Sequence, residues 1–245
     1  MKVAVCLSGQ ARFAEENYSE IRTKILEPAG NPDIFCYFWN TEDSRIGTAP
    51  NTAVKLYRPI RYKIEPQKIF DTAWIDDKPT VACDNKTLTT DPEWLYWNYQ
   101  RILSMFYSIK QVNALINGVY DCVIRCRTDN TFERAFDLEE FKSDTDALWC
   151  YRLLPRPPEW NLGKFSYGDE FCFGNQEVMS TWSSVYDNIP QIIEALNLVR
   201  PEKFLTYHIE ELTNLGTLAK VSKIGVPAIK RNEHSNVVLE RPEGP

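Results

Sequence analysis

Four short polar clusters stand beside apolar runs, where an enzyme would place its chemistry. Ser8-Gly9-Gln10-Ala11-Arg12 follows the apolar residues 3–7, Trp39-Asn40-Thr41 follows residues 33–38, and Arg127-Thr128-Asp129-Asn130 follows residues 121–126. The fourth, Tyr167-Gly168-Asp169-Glu170, precedes Phe171-Cys172-Phe173 and reads as a loop entering a strand. In an open α/β sheet, ligands bind outside the carboxyl ends of the strands, so the first three clusters share one rim. The end of the first run, Leu7-Ser8-Gly9-Gln10, offers backbone N–H groups before a helix, with Arg12 close behind. Amides at a helix start and a guanidinium together suit a phosphate or diphosphate. An ordinary tight turn explains the same residues equally well.

Arg125, Arg127 and Asp129 share one parity on an extended strand. Buried charges of both signs must pair or meet a ligand. They form either an internal Arg–Asp ion pair or a site where Arg127 meets phosphate and Asp129 meets a metal or ribose. Asp169 and Glu170 follow a glycine in a stretch that carries Trp160, Phe165 and Tyr167. Aromatic faces stack on the C–H faces of sugars, and a carboxylate accepts hydroxyl protons. Asp169 is therefore a candidate general base, and a capping acid is the bland alternative. Asp144-Thr145-Asp146 precedes its strand, which puts it at the opposite sheet edge, and Asp76-Asp77 stays unassigned. His208 reads as a core histidine and His234 as tail.

The elements that must hold these clusters follow from apolar spacing. Residues 3–7, 33–39, 121–126, 147–151 and 171–173 read as strands, with a short one at 62–64. Helices are expected from Ala14 past Ile21 and Ile25, from Asn98 to Ile116, from an Asn175 cap to about Tyr186, and from Pro201 to Gly216. Residues 71–95 show no period and read as a long loop or lid. The alternation predicts an α/β fold, a mainly parallel central sheet flanked by helices, in one domain over residues 1–231 with a tail at 232–245. The 245 residues, 43% hydrophobic, suffice for a substantial core. The net charge of −6 argues against nucleic-acid partners. No run approaches the roughly 20 apolar residues of a transmembrane segment, and a cytoplasmic protein is expected. Seven cysteines without zinc spacing read as buried, reduced thiols.

Taken together, the motifs resemble a family of nucleotide-sugar glycosyltransferases with a Rossmann-like GT-A fold. The resemblance rests on VAVCLSGQ-x-Arg12, Asp33-Ile34-Phe35 with Trp39, Tyr120-Asp121-Cys122-Val123-Ile124-Arg125-x-Arg127-x-Asp129, and Asp169-Glu170-Phe171-x-Phe173-Gly174. The helical segment from Gln100 to Lys110 also matches. The resemblance implies a nucleoside-diphosphate sugar donor and a hydroxyl of a glycan as acceptor. It implies Leu7, Ser8, Gly9, Gln10 and Arg12 at the nucleotide and diphosphate, and Arg127 with Asp129 at the leaving group. Such enzymes commonly hold Mn²⁺ or Mg²⁺ with an Asp-x-Asp motif. Here Arg127 stands at its first position, leaving Asp129 as the metal candidate and an arginine able to supply part of the cation's charge. Asp169, with Glu170 in reserve, falls where the acceptor-side acid is expected. A non-catalytic sugar- or nucleotide-binding module and a sugar nucleotidyltransferase are the alternatives.

Overall fold

A strand apolar on both faces must be covered twice, and β1 (Val3–Gly9), buried over its first six residues, sits near the middle of a sheet with helices on either side. The computed structural model describes residues 1–41, 48–75, 81–83, 88–132, 134–153, 166–214, 220–224 and 229–231. For 81–83, 88–89, 151–153, 166, 212–214, 220–224 and 229–231 it describes the backbone alone. After β1 come α1 (Ala14–Ile21), which runs on into a π-helical turn (Arg22–Leu26), then β2 (Asp33–Asn40), α2 (Pro50–Tyr57) and β3 (Arg61–Pro66). A 3₁₀ turn (Ala73–Ile75), β4 (Val81–Cys83) and β5 (Leu88–Thr89) lead to the long helix α3 (Pro92–Ala114). The chain continues through β6 (Cys122–Cys126), β7 (Asn130–Phe132), α4 (Leu138–Lys142), β8 (Ala147–Leu153) and β9 (Ser166–Gly174). It then forms α5 (Gln176–Ser183), α6 (Val185–Leu196), β10 (Leu198–Val199), α7 (Pro201–Asn214), β11 (Lys220–Ile224) and β12 (Ile229–Arg231).

The main sheet has seven strands in the order β11-β8-β9-β6-β1-β2-β3. Every neighbouring pair is parallel except those of β9, which runs antiparallel to both β6 and β8. The fold is thus mixed α/β with a mostly parallel sheet, as expected. Alternate residues of each strand feed separate cores. Val5, Leu7, Phe38, Ile124 and Cys126 pack with Ile21 and Ile25 on one face. Cys6, Phe35, Tyr37, Trp39 and Val123 pack with Phe106, Ile109, Trp182 and Phe204 on the other. Cys6, Cys36, Cys122, Cys126, Cys150 and Cys172 are buried free thiols, in line with the reading from sequence.

Three expectations change. The lid at 71–95 holds a 3₁₀ turn, two short strands and the first turn of α3. Asp91 caps that helix by accepting from the N–H groups of Glu93 and Trp94, and Pro92 follows at the first position, so α3 begins six residues before Asn98. The helix expected to reach Tyr186 is two helices, divided at Ser184. Residues 167–170 are not a loop: they lie inside β9. Asp76, Asp77, Trp160, Phe165, His234 and residues 232–245 lie outside the described residues.

Candidate functional site

Parallel strands carry their carboxyl ends to one rim, and the antiparallel β9 delivers its first half to that same rim. Cys126 pairs with Phe171 and Arg125 with Cys172, so Asp169 and Glu170 rise beside the residues that follow β6. The register of β9 against β8 slips here. Between the pairs Cys150–Cys172 and Arg152–Tyr167, one residue of β8 opposes four of β9, Gly168 to Phe171. Such a bulge re-aims side chains, and both Asp169 and Glu170 are buried.

Arg127 ties the cluster together. Its Nε donates to Asp129 Oδ1 at 2.7 Å and its Nη2 to Asp129 Oδ2 at 2.6 Å, a bidentate pair. Its Nη1 reaches Asp169 Oδ2 at 3.3 Å. The two carboxylate side chains are 4% exposed and that of Arg127 21%. Burial alone would lower the Arg127 pKa, but Asp129, Asp169 and Glu170 outweigh it and hold the guanidinium charged. Arg125, fully inside the sheet, shows the opposite balance. Burial and the neighbouring positive charge of Arg127 lower its pKa against the pull of Asp169. Its Nη1 donates to Cys126 O, its Nη2 to Ser8 O at 3.4 Å, and its Nε meets no acceptor.

The first turn adjoins this cluster. Thr128 Oγ1 lies 3.5 Å from Gln10 O, and Asn17 Nδ2 donates to Thr128 O at 3.0 Å. Gly9 has φ +106°, a conformation that any side chain would strain. Ser108 of α3 faces the strand end, with its Oγ 3.5 Å from Ser8 Oγ. Arg125 is buried, as its place on the strand led one to expect, whereas nothing in the sequence singled out Ser108. Other details are less favourable to an anion at α1. Arg12 Nε donates to Gln10 Oε1 at 2.6 Å, Thr48 Oγ1 accepts from the N–H of Glu15, and Glu15 and Glu16 put negative charge in the first turn. Leu7 is a core residue, so only its backbone can serve a ligand.

The donor set does not fit a divalent ion as it is arranged. A guanidinium engages both oxygens of Asp129 and one of Asp169, and among the described residues no three His, Cys, Asp or Glu side chains cluster with metal-ligand geometry. Asp144 and Asp146 sit at the opposite edge as expected, where Asp146 Oδ1 accepts from Asn175. A shallow cavity of about 550 Å³ also opens at that edge, lined by Met1, Tyr120, Asp121, Phe141, Thr145 and Asn175. It lies at the strands' amino ends, away from the Arg127 cluster. His208 is a buried core residue, as read from the sequence, with Nε2 3.0 Å from Thr181 O.

No family model matches the chain, and no curated protein matches it. Among solved structures it is similar to the apo form of mouse xyloside xylosyltransferase 1 over 91% of this chain and 84% of that one, with 12% sequence identity and a TM-score of 0.44. A likeness this distant transfers no residue role and no substrate. Among the described residues, no helix is long and apolar enough to cross a membrane.

Proposed function

We propose that the chain is a glycosyltransferase that moves a sugar from a nucleoside-diphosphate donor to a hydroxyl of a glycan. One observation carries this reading: a half-buried arginine bridges two buried carboxylates at the carboxyl rim of a mostly parallel sheet, against the turn that ends its central strand. Ser8, Gly9 and Gln10, with Arg12 behind them, line the diphosphate side. Asp129 orients the Arg127 fork. Of the two contacts of Arg127, the one to Asp169 is longer and not bidentate, so it is the one to yield. A donor phosphate that takes Nη1 leaves Asp169 free to accept the acceptor's hydroxyl proton, with Glu170 in reserve. In an inverting reaction the acceptor oxygen then bonds to the anomeric carbon as the carbon–phosphate oxygen bond breaks. The diphosphate departs against Arg127, whose charge serves the leaving group as a cation would. A divalent ion would have to win Asp129 from Arg127.

The same contacts support a second reading, a sugar-nucleotide binding module without turnover, in which Arg127 never releases Asp169. Thermal shift with a panel of nucleotide sugars tests the common part, since a ligand at a hundred times its Kd stabilises by about 2.7 kcal/mol. No shift with any member sinks both readings. Product formation with matched acceptors then separates transferase from binder.

A further inference from the structure

We propose that the end of α3 overhanging the rim is the acceptor subsite, with the indole of Trp97 as a stacking platform for a neutral oligosaccharide. The proposal rests on the transferase reading above and names where its second substrate lies. Helix α3 is 23 residues long, about 34 Å at 1.5 Å per residue, longer than any strand it covers. Its carboxyl end meets the start of β3, where Arg61 donates to Leu115 O, and Ser108 faces Ser8 at the strand end. The turns of α3 well before Ser108 therefore extend beyond the end of β1. Trp97 lies eleven residues earlier, close to three full turns, so it falls on nearly the same helix face as Ser108, about 16 Å higher. Arg101 lies between them on that face. The face that packs on the sheet below is exposed above: Arg101 is exposed and Trp97 is 56% exposed.

A second ring lies at that height. Tyr96 is 38% exposed and meets Trp97 edge-on at 5.4 Å between centroids. Residues 67–75 climb the side of α3, held by Gln67 Nε2 to Ser104 Oγ and by Gln100, which both accepts from and donates to the backbone of Phe70. Trp74, on the 3₁₀ turn that follows Phe70, is 37% exposed. By contrast, Trp39, Trp149 and Trp182 are buried. Flat rings beside polar groups suit a sugar, which offers C–H faces and hydroxyls together. A nucleoside diphosphate seated on the Ser8 turn and Arg127 lies at the level of the strand ends, three turns below Trp97, whereas a chain of sugars can span that height. Glu93, exposed one turn above Trp97, and Arg101, exposed one turn below it, carry opposite charges and can both bond hydroxyls, so the platform offers no net charge to an ionic chain.

Intrinsic tryptophan fluorescence of the full chain, titrated with neutral gluco-, xylo- and manno-oligosaccharides, tests this, with nucleotide-sugar affinity measured in parallel. Saturable quenching by a member of the panel is expected. Trp97→Ala, and separately Tyr96→Phe/Trp97→Leu, weaken that binding about tenfold while nucleotide-sugar affinity and melting temperature hold. The proposal is overturned if no oligosaccharide quenches while a nucleotide sugar binds, or if the variants bind oligosaccharide as the parent does. It is also overturned if the parent self-associates in sedimentation and the variants do not, since the rings then form a protein interface. Failure of every nucleotide sugar to bind, with quenching intact, sinks the donor reading and leaves a carbohydrate platform.

Discussion

Arg127 Nη1 lies 3.3 Å from Asp169 Oδ2 across the antiparallel seam between β6 and β9. The contact joins the end of one strand to a bulge in the next, so the cluster reports on both fold and function. Removing the guanidinium takes from buried Asp129 its bidentate partner and leaves buried Asp169 with the more distant charge of Arg125. Arg127→Met is expected to cost roughly 3–5 kcal/mol in urea unfolding. Neutralising one acid relieves part of this, so Asp129→Asn in the Arg127→Met background should return about 1–2 kcal/mol. Strictly additive single and double variants would show that the three groups do not act as a unit.

The same geometry bears on divalent ions. Arg127 engages both oxygens of Asp129, so an ion gains that ligand only by breaking two charge-assisted hydrogen bonds. The expected outcome is a donor-induced thermal shift of equal size in EDTA and in Mn²⁺. Arg127→Lys, which keeps the charge but loses the fork, should reduce the shift in both. A shift seen only with Mn²⁺, and abolished by Asp129→Ala, would mean that Asp129 leaves Arg127 for the metal.

The thiols offer a test of packing. Burial pushes the pKa of Cys6 up to about 12, with the nearby Arg125 charge countering only part of the effect, and Cys126 behaves alike. Burial raises Cys36, Cys122 and Cys172 as well. Thiolate is the reactive form, so these sites are inert at pH 8 while the chain stays folded. A disulfide reagent should leave Cys6, Cys36, Cys122, Cys126, Cys150 and Cys172 unlabelled in the native protein and label all seven cysteines in denaturant. Two or more fast native thiols would mean that one of the two cores opens locally.

What the sequence made legible follows from burial. β1, β2 and β6 lie deep in the sheet, so their apolar runs are continuous and their ends could be placed. The parity of Arg127 and Asp129 pointed to one shared site, and they do meet. β9 hid its first half because Gly168, Asp169 and Glu170 carry no apolar period. Their burial rests on the bulge and on Arg127, which no spacing rule encodes. The start of α3 was missed for the converse reason. Above the rim only one side of the helix is covered, so Trp94, Tyr96 and Trp97 blur the period, although Asp91-Pro92 carried the capping signal. Ser108 gave no signal at all, since a serine inside a helix acquires meaning only from the strand end it faces.

His208 supplies a pH-dependent stability with a definite sign. It sits in α7 among Phe204, Leu205 and Ile209, and burial lowers its pKa despite the hydrogen bond to Thr181 O. The folded state therefore holds the neutral ring, whereas the unfolded chain titrates near the ordinary value of about 6.5. Below that value the unfolded state binds a proton that the folded state refuses. Stability is thus fully present above about pH 6.5 and falls as pH drops towards the folded pKa, by at most about 1.4 kcal/mol per unit. His208→Gln keeps a side-chain N–H able to reach Thr181 O and removes the titration. Urea midpoints measured from pH 7.5 to 5.5 should converge for parent and variant as pH falls, because only the parent loses this contribution. Parallel curves would mean that His208 titrates alike in both states and that the α5–α7 contact admits water.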